Sequence, residues 1–196
     1  MRKFIFSLFL MLVCNSAVRA DAYYCMLFSY DSKPVPIPVL CHIWGEFVHV
    51  DDKGKLVEDI VFSWGPDNVS YLDKTRPGVN NSYHVLDYAK KEKNDVRMWG
   101  PFECNEHFYK KAKNQTAQDG KYKFIDCFNR KTNQNCIHRL SDLAGPHKTG
   151  IYWGWWAGES VYKHYKKQGV IRPTTNSDTI YSMLELHRYE IKRMVK

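Results

Sequence analysis

The chain has 196 residues, 44% of them hydrophobic and 26% charged, with a formal net charge of +8. That length holds one core of ordinary size, and that composition belongs to a folded globular chain rather than a disordered one. No fixed repeat, glycine period or heptad run is present, which excludes solenoids, collagen and coiled coils.

Arg2 and Lys3 precede an apolar run over residues 4–13, and Val18-Arg19-Ala20 closes the segment with small residues. Charged, then apolar, then small is the order of an export signal, and its apolar part is too short to span a bilayer. Residues 1–20 are therefore expected to be a cleaved signal peptide, and 21–196 a single domain, secreted or periplasmic. No other segment is long enough for a stable membrane span. Removing Arg2, Lys3 and Arg19 leaves 26 basic against 21 acidic residues, a net +5. No dense Lys/Arg stripe remains, so no nucleic-acid partner is expected. Cys14 leaves with the signal. Cys25, Cys41, Cys104, Cys127 and Cys136 stay, an odd number for an oxidising compartment.

Residues 39–50 are rich in β-formers and read as a strand. Asp51-Asp52-Lys53-Gly54 is turn chemistry, and residues 56–64 read as the returning strand of a hairpin. Residues 65–81 read as loop. Ser82 can cap a helix over 83–91, and residues 96–99 form a short strand that Gly100-Pro101 should stop. A helix is expected over 105–118 and a strand over 122–125. After a polar loop, a short helix starts near Cys136, with Ile137, Leu140 and Leu143 as its apolar positions. Helices over 155–167 and 178–187 precede a basic tail. The aromatic run Tyr152-Trp153-Gly154-Trp155-Trp156 reads as packing of the following helix on the sheet, helped by Gly154 and Gly158. The whole reads as α+β, an antiparallel sheet packed against helices.

One segment points to chemistry. Asn135 is a good N-cap, so Cys136 begins a helix, where free amides and the helix dipole favour a thiolate and can hold an oxyanion. Such a thiol needs a base. His42 and His49 lie on the first strand of the hairpin but on opposite faces, seven residues apart. A hairpin centred between Asp52 and Lys53 sets His42 opposite Ser63, which can then orient the imidazole; a one-residue slip would put Trp64 there instead. His138 is a weaker base, pointing away from Cys136 on the helix. Cys127, Cys136, His138 and His147 match no zinc spacing, and Glu46, Asp67 and Asp73 form no carboxylate pair for glycoside cleavage. No metal and no cofactor is expected.

An early strand with Cys41-His42, then Phe62-Ser63-Trp64, Pro77-Gly78-Val79-Asn80, Trp99-Gly100-Pro101-Phe102 and Asn135-Cys136-Ile137-His138-Arg139-Leu140-Ser141-Asp142-Leu143 resembles the circularly permuted papain-like superfamily. That superfamily includes NlpC-like cell-wall peptidases and lecithin:retinol acyltransferase relatives. The chain is more similar still to secreted bacterial proteins within or near it. The resemblance runs over about residues 39–143. It implies a permuted papain-like fold, a nucleophile at Cys136 and a base at His42; Ser63 in the third role rests on the hairpin register alone. The implied substrate is a peptide, a cell-wall crosslink or a lipid ester. Inactive members of the superfamily make a secreted binding protein the alternative. With Cys136 as the odd thiol, Cys25, Cys41, Cys104 and Cys127 are left for two bridges.

Overall fold

The computed structural model describes residues 20–31, 42–66, 78–80, 85–116, 136–146 and 155–195. Residues 1–19, Cys41, Ser82, the strand expected over 122–125, Cys127, Asn135 and His147 lie outside the described residues.

The centre of the molecule is a strand with no clear alternation of polar and apolar residues. β1 (Ala22–Asp31) is buried on both faces from Tyr24 to Tyr30. Continuous burial explains the continuous apolar run. β2 (His42–Val50) pairs antiparallel with one edge of β1, and β3 (Leu56–Phe62) pairs antiparallel with β2. The expected turn joins these two strands. Asp51 Oδ1 accepts from the backbone N–H groups of Lys53 at 2.9 Å and Lys55 at 2.8 Å. The chain then makes a two-stranded ladder of β4 (Trp64–Pro66) and β5 (Gly78–Asn80), in a region expected to be loop.

The other edge of β1 pairs antiparallel with β6 (Asp95–Cys104). Gly100-Pro101 was expected to end this strand, and it does not. The ladder shifts register between Cys25 and Leu27 opposite these residues, so the proline, which has no N–H to donate, sits at an irregularity. Gly100 has a φ of +106°, and a Cβ there would lie 2.9 Å from the Cys25 carbonyl oxygen. Only glycine fits that backbone. The same point divides the outer edge of β6. β8 (Ile191–Val195) runs parallel to it along Val96–Trp99, and β7 (Ile171–Pro173) runs antiparallel along Phe102–Cys104. The result is a six-stranded sheet, antiparallel except where β8 meets β6, combined with helices in an α+β fold.

Five α-helices are described: α1 (Val85–Lys91), α2 (Glu106–Thr116), α3 (Cys136–Leu143), α4 (Trp155–Lys167) and α5 (Ser177–Met183). Asn105 starts α2, its Oδ1 accepting from the Phe108 N–H at 2.8 Å, as a capping asparagine does. The last expected helix is shorter than 178–187. Glu185 adopts a left-handed conformation, φ 53°, and separates α5 from a 3-10 turn over Leu186–Arg188. The basic tail is not a tail but β8.

The sheet buries both faces. One carries Leu27, Phe47, Phe62 and Trp99 against Phe108 of α2, Leu140 of α3 and Tyr165 of α4. The other carries Met26, Phe28, Trp44 and Met98 against Leu86 of α1, Ile180 of α5 and Leu186. Gly158 lies under the Trp99 indole, and Trp99 Nε1 donates to Glu159 Oε2 at 2.7 Å, so α4 does pack on the sheet there.

Cys25 and Cys104, both expected in bridges, are free, buried thiols in the structure. Burial, and for Cys25 the neighbouring Cys104, pushes the Cys25 thiol well up; burial beside Glu103 pushes Cys104 up to about 12. Thiols so held are unreactive. Mass spectrometry after iodoacetamide treatment should find neither residue alkylated in the native protein at pH 8. Both should be alkylated in guanidinium without any reductant. A need for reductant would mean that they are bridged.

Candidate functional site

The hairpin register decides whether His42 meets Ser63. The observed ladder is offset by two residues from the expected one: Phe47 faces Ile60, and the pairing ends at Gly45 and Phe62. A slip of two keeps every side chain on its face. Ser63 thus becomes a diagonal rather than a direct neighbour of His42, still within reach. His42 Nε2 and Ser63 Oγ are 2.7 Å apart, and Ser63 is almost completely buried.

His42 is the first residue of β2 and is partly buried. Its ring stacks on Trp44, centroids 6.1 Å apart, and lies 6.0 Å from the Tyr30 ring. Burial lowers its pKa to about 4. It is therefore a neutral imidazole across the neutral range, with one nitrogen protonated and one free to accept.

His49 projects to the other face, as the seven-residue spacing requires. Its ring stacks on Tyr23 at 4.6 Å, and Nε2 meets Asp21 Oδ2 at 3.0 Å. That is the face of α2, α3 and α4, but at the far end of the strand, beside Tyr109 of α2.

Cys136 begins α3, as its spacing from Leu140 and Leu143 implies; its side chain, with that of His138, lies outside the described residues. Contacts along its length anchor α3 to its neighbours. Leu140 is buried against β2 at Gly45, where a Cβ would come 3.0 Å from Leu140 Cδ2. Tyr165 Oη donates to the Leu140 carbonyl at 2.6 Å. At the other end Lys111 Nζ donates to the carbonyls of Asp142 at 3.0 Å and Leu143 at 2.7 Å, closing groups that a helix end leaves open. The helix lies against both β2 and β4.

Leu140 and Leu143 pack on the sheet face opposite the one that carries Tyr30, His42 and Trp44. β2 extends three residues beyond the last β2–β3 pair, because β3 leaves the ladder at Phe62. His42 sits on that projecting end. Comparisons with protein-family models, with curated proteins and with solved structures return no match for this chain.

A second titratable feature escaped the sequence reading. Glu46, in the middle of β2, is buried on the Trp44 side of the sheet, and Asp59 of β3 is its diagonal neighbour. Burial, with Asp59 nearby, raises Glu46 to about 8, and desolvation raises Asp59 to about 6. The signal was a lone acid inside the apolar run Ile43-Trp44-Gly45-Glu46-Phe47-Val48. Among the described residues, no three His, Cys, Asp or Glu side chains are grouped to hold a metal ion, and no helix is long and apolar enough to cross a membrane.

Proposed function

We propose that the protein is an exported thiol hydrolase or acyltransferase of permuted papain-like architecture, with Cys136 as nucleophile, His42 as base and Ser63 as the group that orients the base. The observation that carries this reading is the 2.7 Å contact between His42 Nε2 and Ser63 Oγ. If Nε2–H donates to the serine oxygen, the lone pair is on Nδ1, ready to accept a thiol proton. The low pKa of His42 keeps that lone pair free at neutral pH.

In this reading Cys136 Sγ attacks a carbonyl carbon and its proton passes to His42 Nδ1. The tetrahedral oxyanion is held by the Cys136 amide at the start of the helix that Asn135 caps. The carbon–nitrogen or carbon–oxygen bond breaks, and His42 returns the proton to the leaving amine or alcohol. Water, or a second nucleophile, then releases the acyl group from sulfur. An amide in a peptide or a cell-wall crosslink is the first substrate class, and a lipid ester the second. Residues 1–20 serve as the export signal. The start of β1 at Ala22, immediately after the expected cleavage point, supports that division.

The opposed placement of His42 and the buried residues of α3 favours a second reading, a secreted binding protein that keeps the fold. Thiol labelling separates the two. Under the enzyme reading iodoacetamide labels Cys136 rapidly at pH 7, and His42→Gln slows it roughly tenfold by removing the imidazole that accepts the thiol proton as the sulfur attacks. Ser63→Ala gives an intermediate rate. Equal rates in the wild type and in a folded His42→Gln protein would leave the binding reading.

A further inference from the structure

His42, Trp44, Glu46 and Val48 alternate along β2 and so share one face of the sheet. The first three are linked. The Trp44 ring is nearly parallel to Phe28, with centroids 5.0 Å apart and 7° between the planes, and to His42, at 6.1 Å and 13°. Tyr30 leans on both, 5.9 Å from the Trp44 ring and 6.0 Å from His42. The imidazole whose Nε2 meets Ser63 Oγ is therefore seated on the indole, and any turn of the indole is felt by His42.

Trp44 is wholly buried, and among the described residues its Nε1–H has no hydrogen-bond partner. A buried donor left open is a cost that a native structure rarely carries without a reason. Glu46, the next residue on that face, is buried too, in one row with Met26 of β1 and Val61 of β3. The indole N–H is near enough to the Glu46 carboxyl to favour its anion, yet no bond is closed. The other groups that face Glu46 offer it nothing. Asp59 of β3 is a like charge, and Met26 of β1 has none. Tyr189, after the 3-10 turn, gives its hydroxyl proton to Asp87 of α1. Lys90 of α1 is turned to the Tyr189 ring and the Arg188 carbonyl. The donor left for a Glu46 carboxylate is the Trp44 indole.

We propose that Glu46 is a positioning residue for His42, acting through Trp44. While Glu46 holds its proton, it makes little demand on the indole, which stays stacked on the imidazole. When Glu46 gives its proton to solvent, the buried carboxylate needs a donor, and a hydrogen bond to a charged acceptor is roughly twice as strong as one to a neutral acceptor. The indole N–H is then drawn onto a carboxylate oxygen. The ring turns to reach it, and His42 loses part of the surface on which it is seated. The device runs with rising pH, opposite in sign to protonation of His42 itself. It stands on the geometry of β2 and does not depend on Cys136 being a nucleophile.

NMR of histidine-labelled protein tests it, with the His42 ring signals assigned by their loss in His42→Gln. His42 itself titrates near pH 4, so above neutrality its signals move only if a neighbour moves. In the wild type they should shift with a midpoint near pH 8. Glu46→Gln should abolish the shift. So should Trp44→Phe, which keeps a ring to stack on and removes the N–H. Asp59→Asn, at an exposed position, should carry the midpoint to lower pH by removing a like charge. Unfolded molecules exchange slowly with folded ones and give separate signals, so the native resonance can be followed even where stability falls. A native His42 signal that is flat through pH 8, a shift that persists in Glu46→Gln or in Trp44→Phe, or a midpoint that Asp59→Asn leaves in place would each overturn the proposal.

Discussion

In Gly158→Ala the clash alone is expected to cost about 3 kcal/mol, at the upper end of the ordinary range for overfilling a packed site, and the net change is a loss of about 2 kcal/mol. A Cβ at Gly158 would run into the six-membered ring of Trp99 closer than atoms approach in real structures. The indole has nowhere to go. It is fully buried, it sits on β6 beside Leu27 of the central strand, and its Nε1 is tied to Glu159 on the same helix. Helix propensity works the other way, since alanine gains about 1 kcal/mol over glycine inside a helix. The clash outweighs that gain. For a chain of this size the net change should lower the melting temperature by roughly 4–8 °C. Trp99→Phe removes the ring atoms in question, so the double variant should be more stable than the two single changes predict by addition. Circular dichroism melts of the four proteins check this. A Gly158→Ala protein that melts with the wild type would mean that α4 sits further from β6 than described.

Glu46→Gln should stabilise the protein at alkaline pH and flatten its pH profile. The folded-state pKa of Glu46 is raised, from an ordinary 4.5 to about 8. The folded protein therefore holds a proton that the unfolded chain has released, and stability falls as pH rises from 4.5 to 8. At about 1.4 kcal/mol per pH unit the full loss is at most about 5 kcal/mol. His42 acts in the opposite sense. Its folded pKa is lowered from 6.5 to about 4, so stability rises with pH across that window and is level above it. Asp59, raised from 3.8 to about 6, adds to the Glu46 slope below pH 6, and the His42 slope opposes both up to pH 6.5. Between 6.5 and 8 Glu46 acts alone, and the wild type should lose about 2 kcal/mol. Glutamine cannot ionise, so the variant should show no such loss. Urea unfolding at half-unit pH steps measures it. Parallel curves for the two proteins would mean that Glu46 is ionised and solvated in the folded state.

The hairpin, three of the helices and the start of α3 were legible because each carries a local signal: the Asp51-Asp52-Lys53-Gly54 turn for the hairpin and apolar residues at helical spacing for the helices. The His42–Ser63 contact was legible for a less secure reason. The register was two residues off, and only because the slip was even did the two side chains stay on one face. β1 was not read at all, since a strand buried on both faces has no alternation to detect, and it follows directly on another apolar segment. Gly100-Pro101 misled because a local breaker was overruled by pairing: β6 is held by β1 on one edge and by β7 and β8 on the other.

The strand order β3-β2-β1-β6 also sets a sequence of events. The first three strands form a meander of near neighbours, which can assemble as soon as its turn closes. Asp31 and Asp95, side by side in the finished sheet, are separated by the whole hairpin, β4, β5 and α1. Closing a loop of that length costs about 4 kcal/mol before any contact rewards it. The β1–β6 ladder is therefore expected to form after the meander. Until β6 arrives, β1 is an open edge strand carrying Met26, Leu27 and Phe28, side chains that the native protein hides completely. An unpaired apolar edge invites pairing with another chain, so the risk of aggregation is concentrated in that interval.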